Sequence, residues 1–215
     1  WDGEVPYDTI TIYLTEDSST KAMALKSGDV DLVENITTTS DLEELKEDPA
    51  YYVSTTAGVR LGNSYFNFKG ALGNDALRQA ILYAIDDETM CDVTVGGMYT
   101  PGCSVLPSSL SYGYDQLTDT YAYNLDKAVE VLDEAGIVDT DGDGYRELEG
   151  ENINLNYIAY SSRNLDEFAQ AVSITLESIG IGCTVTVYDY DTALANQSAG
   201  SFDLITSNAI VVPTG

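Results

Sequence analysis

Apolar and polar residues follow two different periods along this chain. Residues 8–14 alternate apolar and polar side chains, which is the period of a half-buried β-strand. Residues 125–135 instead carry apolar side chains three and four positions apart, which is typical of a helix with one buried face. Asn124 can cap that helix at its start, and Gly136 provides the permissive backbone that ends it.

The same two periods predict strands and helices in alternation along the chain. The predicted strands are 8–14, 30–33, 51–56, 59–68, 153–157, 184–188 and 202–207. The predicted helices are 18–27, 40–48, 75–85, 87–95, 125–135, 165–179 and 191–197. Residues 100–123 lack periodicity and predict a long ordered loop. Helices that alternate with strands predict an α/β fold with a mixed, largely parallel sheet flanked by helices.

Length and composition fit a globular chain. With 215 residues and 44% hydrophobic content, the chain can bury one sizeable core or two small ones. No apolar run approaches the length of a membrane helix. The sequence starts at Trp1 without a basic or apolar leader, so we expect any export signal to have been removed or left out.

Charge and residue types exclude several function classes. Nine basic and 36 acidic residues give a net charge of -27, so we expect no nucleic acid partner. The absence of histidine excludes Ser-His and Cys-His catalysis and the usual zinc sites. Cys91, Cys103 and Cys183 are expected to be buried structural thiols, with a Cys91–Cys103 disulfide as the alternative.

An acidic loop follows the helix at 125–135. Its sequence DTDGDG reproduces the first half of an EF-hand calcium loop, but Gly150 stands where the twelfth-position glutamate belongs. The expected calcium ligands are the side chains or carbonyl oxygens of Asp139, Asp141, Asp143, Tyr145 and Glu147. The alternative is an Asp-Gly turn whose carboxylates cap nearby N–H groups. No cofactor is required, and calcium would be structural.

Polar residues between a strand and a long helix form a candidate binding loop. It consists of Ser161, Ser162, Arg163 and Asn164. The loop offers side-chain donors together with free backbone N–H groups at a helix start, although ordinary helix capping explains it equally well. A weaker candidate is Asn63, which lies in a Gly-Asn-Ser interruption of the strand at 59–68. That interruption predicts a bulge or a close backbone approach.

Taken in order, the segments of the chain resemble one protein family. They are LKSGDVDLV at 25–33, YFNF at 65–68, LRQAILYAIDDETM at 77–90, GGMYTPGCSVLP at 96–107, YAYNLDKAVEVLDEAGIVDTDGDGYRE at 121–147 and LESIGIGCTVTV at 176–187, followed by FD at 202–203. This order is similar to that of the extracellular solute-binding proteins of family 5, which serve ABC importers for oligopeptides, dipeptides and nickel complexes. The resemblance implies a two-lobed periplasmic-binding-protein-like fold of class II, cluster C. It also implies that residues 1–215 are one domain, the second lobe, with the first lobe absent.

The resemblance also implies where a solute would bind. Family ligands lie in the cleft between lobes, near the last strand, which adds Thr206, Ser207 and Asn208 to the candidate residues. Peptide-binding members carry an aspartate near the position of Val212, and an apolar residue cannot hold a peptide's ammonium group. Tyrosines such as Tyr112 and Tyr160 suit either an aromatic cleft or ordinary filling of strand faces.

The resemblance therefore predicts the substrate-binding component of an ABC transporter rather than an enzyme. We expect it to capture a small solute such as a peptide or metal chelate and to deliver it to the permease subunits. The expected protein is a monomer outside the cytoplasm, extracellular or periplasmic, and anchored as a lipoprotein. The alternatives are a calcium-stabilised adhesive or structural module and an acid hydrolase with paired carboxylates. The second alternative is weak because the acidic residues are spread along solvated helix faces.

Overall fold

The structure, a computed structural model of the chain, describes residues 3, 6–110 and 113–210. Contacts divide the chain into two compact units, Trp1–Ser54 and Thr55–Gly215. That residues 1–215 form the single second lobe of a larger protein stays a prediction. Across the described residues the longest helix has 14 residues, and none has the length and apolar character needed to cross a membrane.

The first unit contains two helices, α1 (Ser18–Ser27) and α2 (Thr39–Glu47). Helix α1 begins because the Asp17 carboxylate accepts the Thr20 N–H at 2.7 Å, and it ends at Gly28, whose φ of 79° suits glycine. Lys26 Nζ donates to Glu44 Oε2 at 2.6 Å and ties the two helices together. Both helices confirm the sequence prediction, although Asp17 rather than a serine caps α1.

Three predicted strands are absent from the described residues. Residues 8–14, 30–33 and 51–56 form no strand. Ile12 and Leu14 are 78% and 96% exposed, so the alternating face covers nothing. A strand needs a hydrogen-bonded neighbour, and the first unit offers none to these segments among its described residues. The alternation alone was therefore an insufficient basis for the prediction.

A four-stranded mixed sheet forms the centre of the second unit. Its strands are β1 (Arg60–Phe66), β4 (Asn154–Tyr160), β5 (Gly182–Tyr188) and β6 (Leu204–Ile210), in the order β1-β6-β4-β5. Strand β4 runs parallel to both β5 and β6, whereas β1 runs antiparallel to β6. A small hairpin, β2 (Glu147–Leu148) and β3 (Glu151–Asn152), lies outside this sheet. The predicted mixed, largely parallel sheet is thus confirmed.

Helices cover both faces of this sheet. The helices are α3 (Asp75–Ala84), α4 (Asp87–Val95), α5 (Leu125–Glu134), α6 (Leu165–Ser178) and α7 (Tyr190–Ala199). The main core joins α3, α5 and α6 to one face through Leu77, Leu132, Leu176 and Tyr157. On the other face Ala193 of α7 packs with Ile158, Tyr160 and Ile205. The five helices confirm the predicted ones to within a few residues at each end.

Strand β1 has a regular register with β6 from Arg60 opposite Ile210 to Phe66 opposite Leu204. The bulge predicted at residues 62–64 is therefore wrong, because every residue there has its own partner. The alternative of a close approach holds, since a Cβ on Gly62 would lie 3.4 Å from Leu165 Cδ2.

All three cysteines are free thiols. Cys91 and Cys183 are buried, as expected for structural thiols, but Cys103 is exposed. The prediction of burial is wrong for Cys103 because it lies in the irregular segment after α4, where no helix or strand covers it.

Candidate functional site

The candidate site lies at the carboxyl ends of the parallel strands. Strand β4 ends at Tyr160, β5 ends at Tyr188, and the second half of β6 runs alongside Arg60 at the start of β1. Strand β4 leads into α6 on one face and β5 leads into α7 on the other. In open α/β sheets this arrangement leaves a crevice at the strand ends where ligands bind.

A cavity of about 330 Å³ occupies this crevice. Its walls come from the ends of β4 and β5, from the loop after β4, and from β1 and β6. The lining residues are Arg60, Tyr160, Ser161, Ser162, Arg163, Tyr188, Asp189, Tyr190 and Asn208. The Tyr160 and Tyr190 rings meet edge to face at 5.3 Å between centroids, which gives the cavity an aromatic wall.

The loop between β4 and α6 has an unusual backbone. Arg163 and Asn164 are consecutive non-glycine residues with φ of 55° and 60°. Such left-handed residues are uncommon outside glycine and cluster at functional sites. Tyr99 Oη donates to the Arg163 carbonyl oxygen at 3.3 Å and stacks its ring on Phe168 of α6, which holds the loop in place.

The side chains of this loop divide between hydrogen bonds to side chains of α6 and the cavity. Ser161 Oγ donates to Asp166 Oδ2 at 2.8 Å, and Asn164 Nδ2 donates to Glu167 Oε2 at 2.8 Å. Ser161, Ser162 and Arg163 line the cavity, whereas Asn164 does not. Asn164 makes no side-chain cap hydrogen bond at the start of α6, so the helix-capping alternative is wrong for these side chains, and Arg163 lines the crevice.

Asn208 of β6 connects two other residues of the cavity. Its Oδ1 accepts a hydrogen bond from Arg60 Nη1, and its Nδ2 donates to Tyr160 Oη at 2.7 Å. Burial raises the pKa of Tyr160, and this effect outweighs the opposing hydrogen bond from Asn208. Tyr160 therefore stays protonated at neutral pH.

A smaller cavity of about 80 Å³ lies between β6 and α7. Thr206, Ser207 and Asn208 line it together with Tyr160 and Tyr190. Thr206 is 3% exposed, and its Oγ1 has no hydrogen-bond partner among the described residues. Asn63 pairs with Ser207 across β1 and β6, and its buried Oδ1 is likewise without a partner in the described part of the chain. Thr206, Ser207 and Asn208 thus line a cavity, whereas Asn63 lines neither of the two; ligand binding by these residues stays a prediction.

The crevice carries positive charge on a strongly acidic protein. Neither Arg60 nor Arg163 takes part in any of the four salt bridges found among the described residues. The one carboxylate in the lining as described is Asp189, whose Oδ1 and Oδ2 accept from Thr192 N and Oγ1 at the start of α7. These bonds lower the pKa of Asp189, so the carboxylate is ionised where it caps the start of α7. The two guanidinium groups remain available to a ligand.

Sequence reasoning missed several cavity residues: Arg60, Tyr188, Asp189 and Tyr190. Their position depends on which strands are neighbours, which local patterns do not reveal. One pattern could have pointed to three of them, since Tyr-Asp-Tyr directly follows an apolar strand and precedes a helix. Val212 and Tyr112 lie outside the described residues.

The acidic loop forms an ordered turn away from the crevice. One oxygen from each of Asp139, Asp141 and Glu147 lies within 4.8 Å of the others. The Asp139 carboxylate accepts the N–H groups of Gly144 and Gly142, which lowers its pKa. Buried Glu147 accepts from Thr140 N at 2.9 Å and from Thr140 Oγ1 at 2.8 Å. These bonds belong to the Asp-Gly turn alternative, and calcium binding stays a prediction.

Asp143 and Tyr145 contribute differently to this loop. Asp143 Oδ1 accepts from Tyr145 N at 2.8 Å, and its Oδ2 accepts from Asn152 Nδ2 at 2.6 Å. Asp143 is therefore occupied by bonds to the loop and to the β2–β3 hairpin, and it lies outside the group of converging oxygens.

Comparison with known proteins places this fold in one family. The family model described as "Bacterial extracellular solute-binding proteins, family 5 Middle" matches residues 1–214. The Heme-binding protein A of Haemophilus influenzae is 30% identical over 137 residues, which cover 63% of this chain and 25% of that protein. The Nickel-binding periplasmic protein of Escherichia coli is 23% identical over 211 residues, which cover 95% of this chain and 40% of that protein.

A solved structure agrees with these relatives. NikA from Brucella suis, in complex with Fe(III)-EDTA, superimposes with a TM-score of 0.86 at 23% identity, over 97% of this chain and 43% of that one. This chain thus spans less than half the length of these proteins. The family match runs through the crevice and the sheet alike, and the chain belongs to the bacterial extracellular solute-binding proteins of family 5.

Proposed function

We propose that this chain supplies solute-binding surface to the substrate-binding component of an ABC importer. The protein captures a small solute at the crevice beyond β4, β5 and β6 and delivers it to the membrane permease. It acts outside the cytoplasm, in the periplasm or at the cell surface, where a lipid anchor would hold it. The family match and the crevice at the strand ends support this proposal.

The observation that carries the proposal is the pair of arginines in the crevice. The chain has a net charge of -27, yet the cavity lining contains Arg60 and Arg163 without ion-pair partners among the described residues. Two guanidinium groups without a carboxylate partner among the described residues attract an anionic group and bind it through paired hydrogen bonds. A peptide carboxylate or the carboxylates of a metal chelate have this chemistry, and relatives are named for heme and for nickel.

Binding rather than catalysis is the role that this crevice supports. Hydrolysis by paired carboxylates needs two acidic groups facing one bond, about 5–10 Å apart. The described lining offers Asp189 alone, and both of its oxygens cap α7. The chain therefore acts as a receptor for the solute, and chemistry is left to other proteins.

The proposal is tested with the full-length gene product that contains this chain. We expect mass spectrometry to find a small acidic molecule that co-purifies with it. Replacing Arg60 and Arg163 together by alanine should remove this molecule while the circular dichroism spectrum stays unchanged.

A matched control carries Lys46→Ala and Lys69→Ala, which change the charge equally at two exposed residues that do not belong to the cavity lining. This control should keep the solute. A full-length product without any bound or bindable solute would contradict the proposal, and so would equal loss in both double variants.

A further inference from the structure

The Asn208 side chain occupies a position that controls two other groups. It is half-buried on β6, between Arg60 of β1 and Tyr160 at the end of β4. The Arg60 guanidinium donates to Asn208 Oδ1, and Asn208 Nδ2 lies 2.7 Å from Tyr160 Oη. All three residues line the larger cavity. Replacing the donor or the acceptor of the Asn208 amide would therefore change which hydrogen bonds Arg60 and Tyr160 can make in the cavity wall.

The direction of these bonds follows from the chemistry of the three side chains. A guanidinium group has five donors and no acceptor, so Asn208 has to present its carbonyl oxygen to Arg60. The amide nitrogen of Asn208 then faces Tyr160, and this nitrogen can only donate. The hydroxyl oxygen of Tyr160 must accept. The orientation of the amide is thus set by Arg60.

One consequence concerns the hydroxyl proton of Tyr160. Since the oxygen of this hydroxyl accepts from Asn208, its O–H bond is free to donate elsewhere. No acceptor for it occurs among residues 3, 6–110 and 113–210. Burial raises the pKa of Tyr160, so the proton is present at neutral pH. The wall formed by Arg60 and Tyr160 therefore presents hydrogen-bond donors toward the cavity.

We propose that Asn208 is a specificity-determining residue, which makes this wall a donor surface and thereby selects solutes that present a carboxylate. The inference rests on the proposed function, because it concerns the same crevice. Asn208 acts as a positioning residue through Arg60 and Tyr160. A carboxylate can accept from both with two oxygens, whereas an amide has one acceptor oxygen beside an NH2 donor and an ammonium group has donors only.

The nearest carboxylates do not provide this acceptor. Both Asp189 oxygens bind Thr192, and Asp166 and Glu167 accept from Ser161 and Asn164. These three acidic groups serve the first turns of α6 and α7. The Tyr160 proton and the Arg60 N–H groups that do not bind Asn208 can therefore donate to a solute.

The test replaces Asn208 by aspartate in the full-length gene product. Aspartate has nearly the same shape but only accepts, so the Tyr160 O–H would donate a hydrogen bond to it and its charge would pair with Arg60. The probes are trialanine, trialanine amide and Fe(III)-EDTA, measured by isothermal titration calorimetry, together with any co-purifying molecule identified by native mass spectrometry. We expect Asn208→Asp to weaken the carboxylate-bearing ligand by about 10- to 100-fold and to abolish the preference for trialanine over its amide.

Two further variants separate positioning from stability. Asn154→Asp makes the same charge change at the opposite end of β4, and it retains the oxygen that accepts from Thr184 Oγ1. This control should bind as the wild type does. Tyr160→Phe removes the donor and leaves the contact between Asn208 and Arg60, so it should lose about 10-fold in affinity for the same ligand. Melting temperatures of all three variants are measured beside the wild type.

The outcomes separate this inference from the proposed function. Wild-type protein that binds a carboxylate ligand, with Asn208→Asp binding it equally well, would overturn the role of Asn208 and leave the proposed function intact. Wild-type protein that carries a solute without an acidic group would do the same. Failure of the wild type to carry any molecule or bind any probe would overturn both.

Discussion

Arg163 combines an unfavourable backbone conformation with a position in the cavity lining. Its left-handed backbone, with φ of 55°, costs a non-glycine residue roughly 1–2 kcal/mol. Its guanidinium lies in the cavity lining without an ion-pair partner in the described part of the chain. A glycine would remove the backbone cost, but it would also remove the charge. The presence of arginine here therefore indicates a requirement other than folding.

This residue provides a matched pair of variants. Arg163→Gly and Arg163→Ala both remove the guanidinium, but alanine keeps the unfavourable φ of 55°. We expect the glycine variant to be more stable than the alanine variant by about 1 kcal/mol, measured by urea denaturation, and both to bind the solute weakly. Equal stability of the two would show that the loop relaxes and stores no strain.

Asp141 allows a test of calcium at the acidic loop. At constant ionic strength, about 1 mM calcium should raise the melting temperature above its value in equal magnesium, because the site offers only oxygen ligands. Asp141→Asn should remove this difference while its side chain still accepts from Asp143 N. Identical melting temperatures in calcium, magnesium and EGTA would end the calcium hypothesis.

At the scale of elements, tight contact between β4 and β5 depends on one small residue. Gly182 begins β5, and a Cβ there would lie 2.9 Å from the Ile153 carbonyl oxygen. Gly182 N donates to this same oxygen at 3.0 Å, so the backbones cannot separate without losing the bond. Strand β5, which ends at the crevice, is thus held against the start of β4 at its opposite end.

Gly182→Ala is expected to destabilise the protein by about 1–3 kcal/mol, because the two backbones have to move apart. Gly58→Ala is the control, since a Cβ there meets its nearest neighbour only at 3.9 Å. Chemical denaturation of both variants measures the difference. A cost for Gly182→Ala no greater than that of the control would show that β4 and β5 adjust freely.

Local patterns predicted the helices well and the strands unevenly. Helices α4 and α5 were found because their caps and their apolar spacing lie within the element itself. The segment 8–14 has an equally regular pattern but no neighbouring strand among the described residues of its unit, so the pattern misled. The same reasoning applies to the site. Residues 161–164 are neighbours in the sequence, so the loop could be proposed from the sequence alone. Arg60 is distant in sequence and reaches the crevice only because β1 pairs with β6.

At the scale of the whole molecule, charge is the dominant feature. The sequence has 36 acidic and nine basic residues, and the described residues contain four salt bridges. Repulsion among unpaired carboxylates destabilises the compact state, and salt screens it over about 10 Å at 0.1 M ionic strength. The free energy of unfolding should therefore depend on salt more than it does for a neutral protein.

We expect the melting temperature to rise by several degrees between low salt and about 0.5 M NaCl, followed by circular dichroism. Potassium chloride at equal ionic strength should give the same rise, since screening does not distinguish these ions. A melting temperature that stays constant or falls would show that the acidic groups are too far apart to repel one another.

The carboxylates at the starts of α6 and α7 have a consequence for how such proteins diversify. Asp166, Glu167 and Asp189 bind groups of the chain itself, so both helices are complete without a solute. The groups that line the crevice are chiefly Arg60 and Tyr160 at strand ends and Arg163 in the loop after β4. Mutation can exchange these few side chains without disturbing a helix cap. The lining of the crevice can therefore change by small steps, each of which leaves a folded protein for selection to act upon.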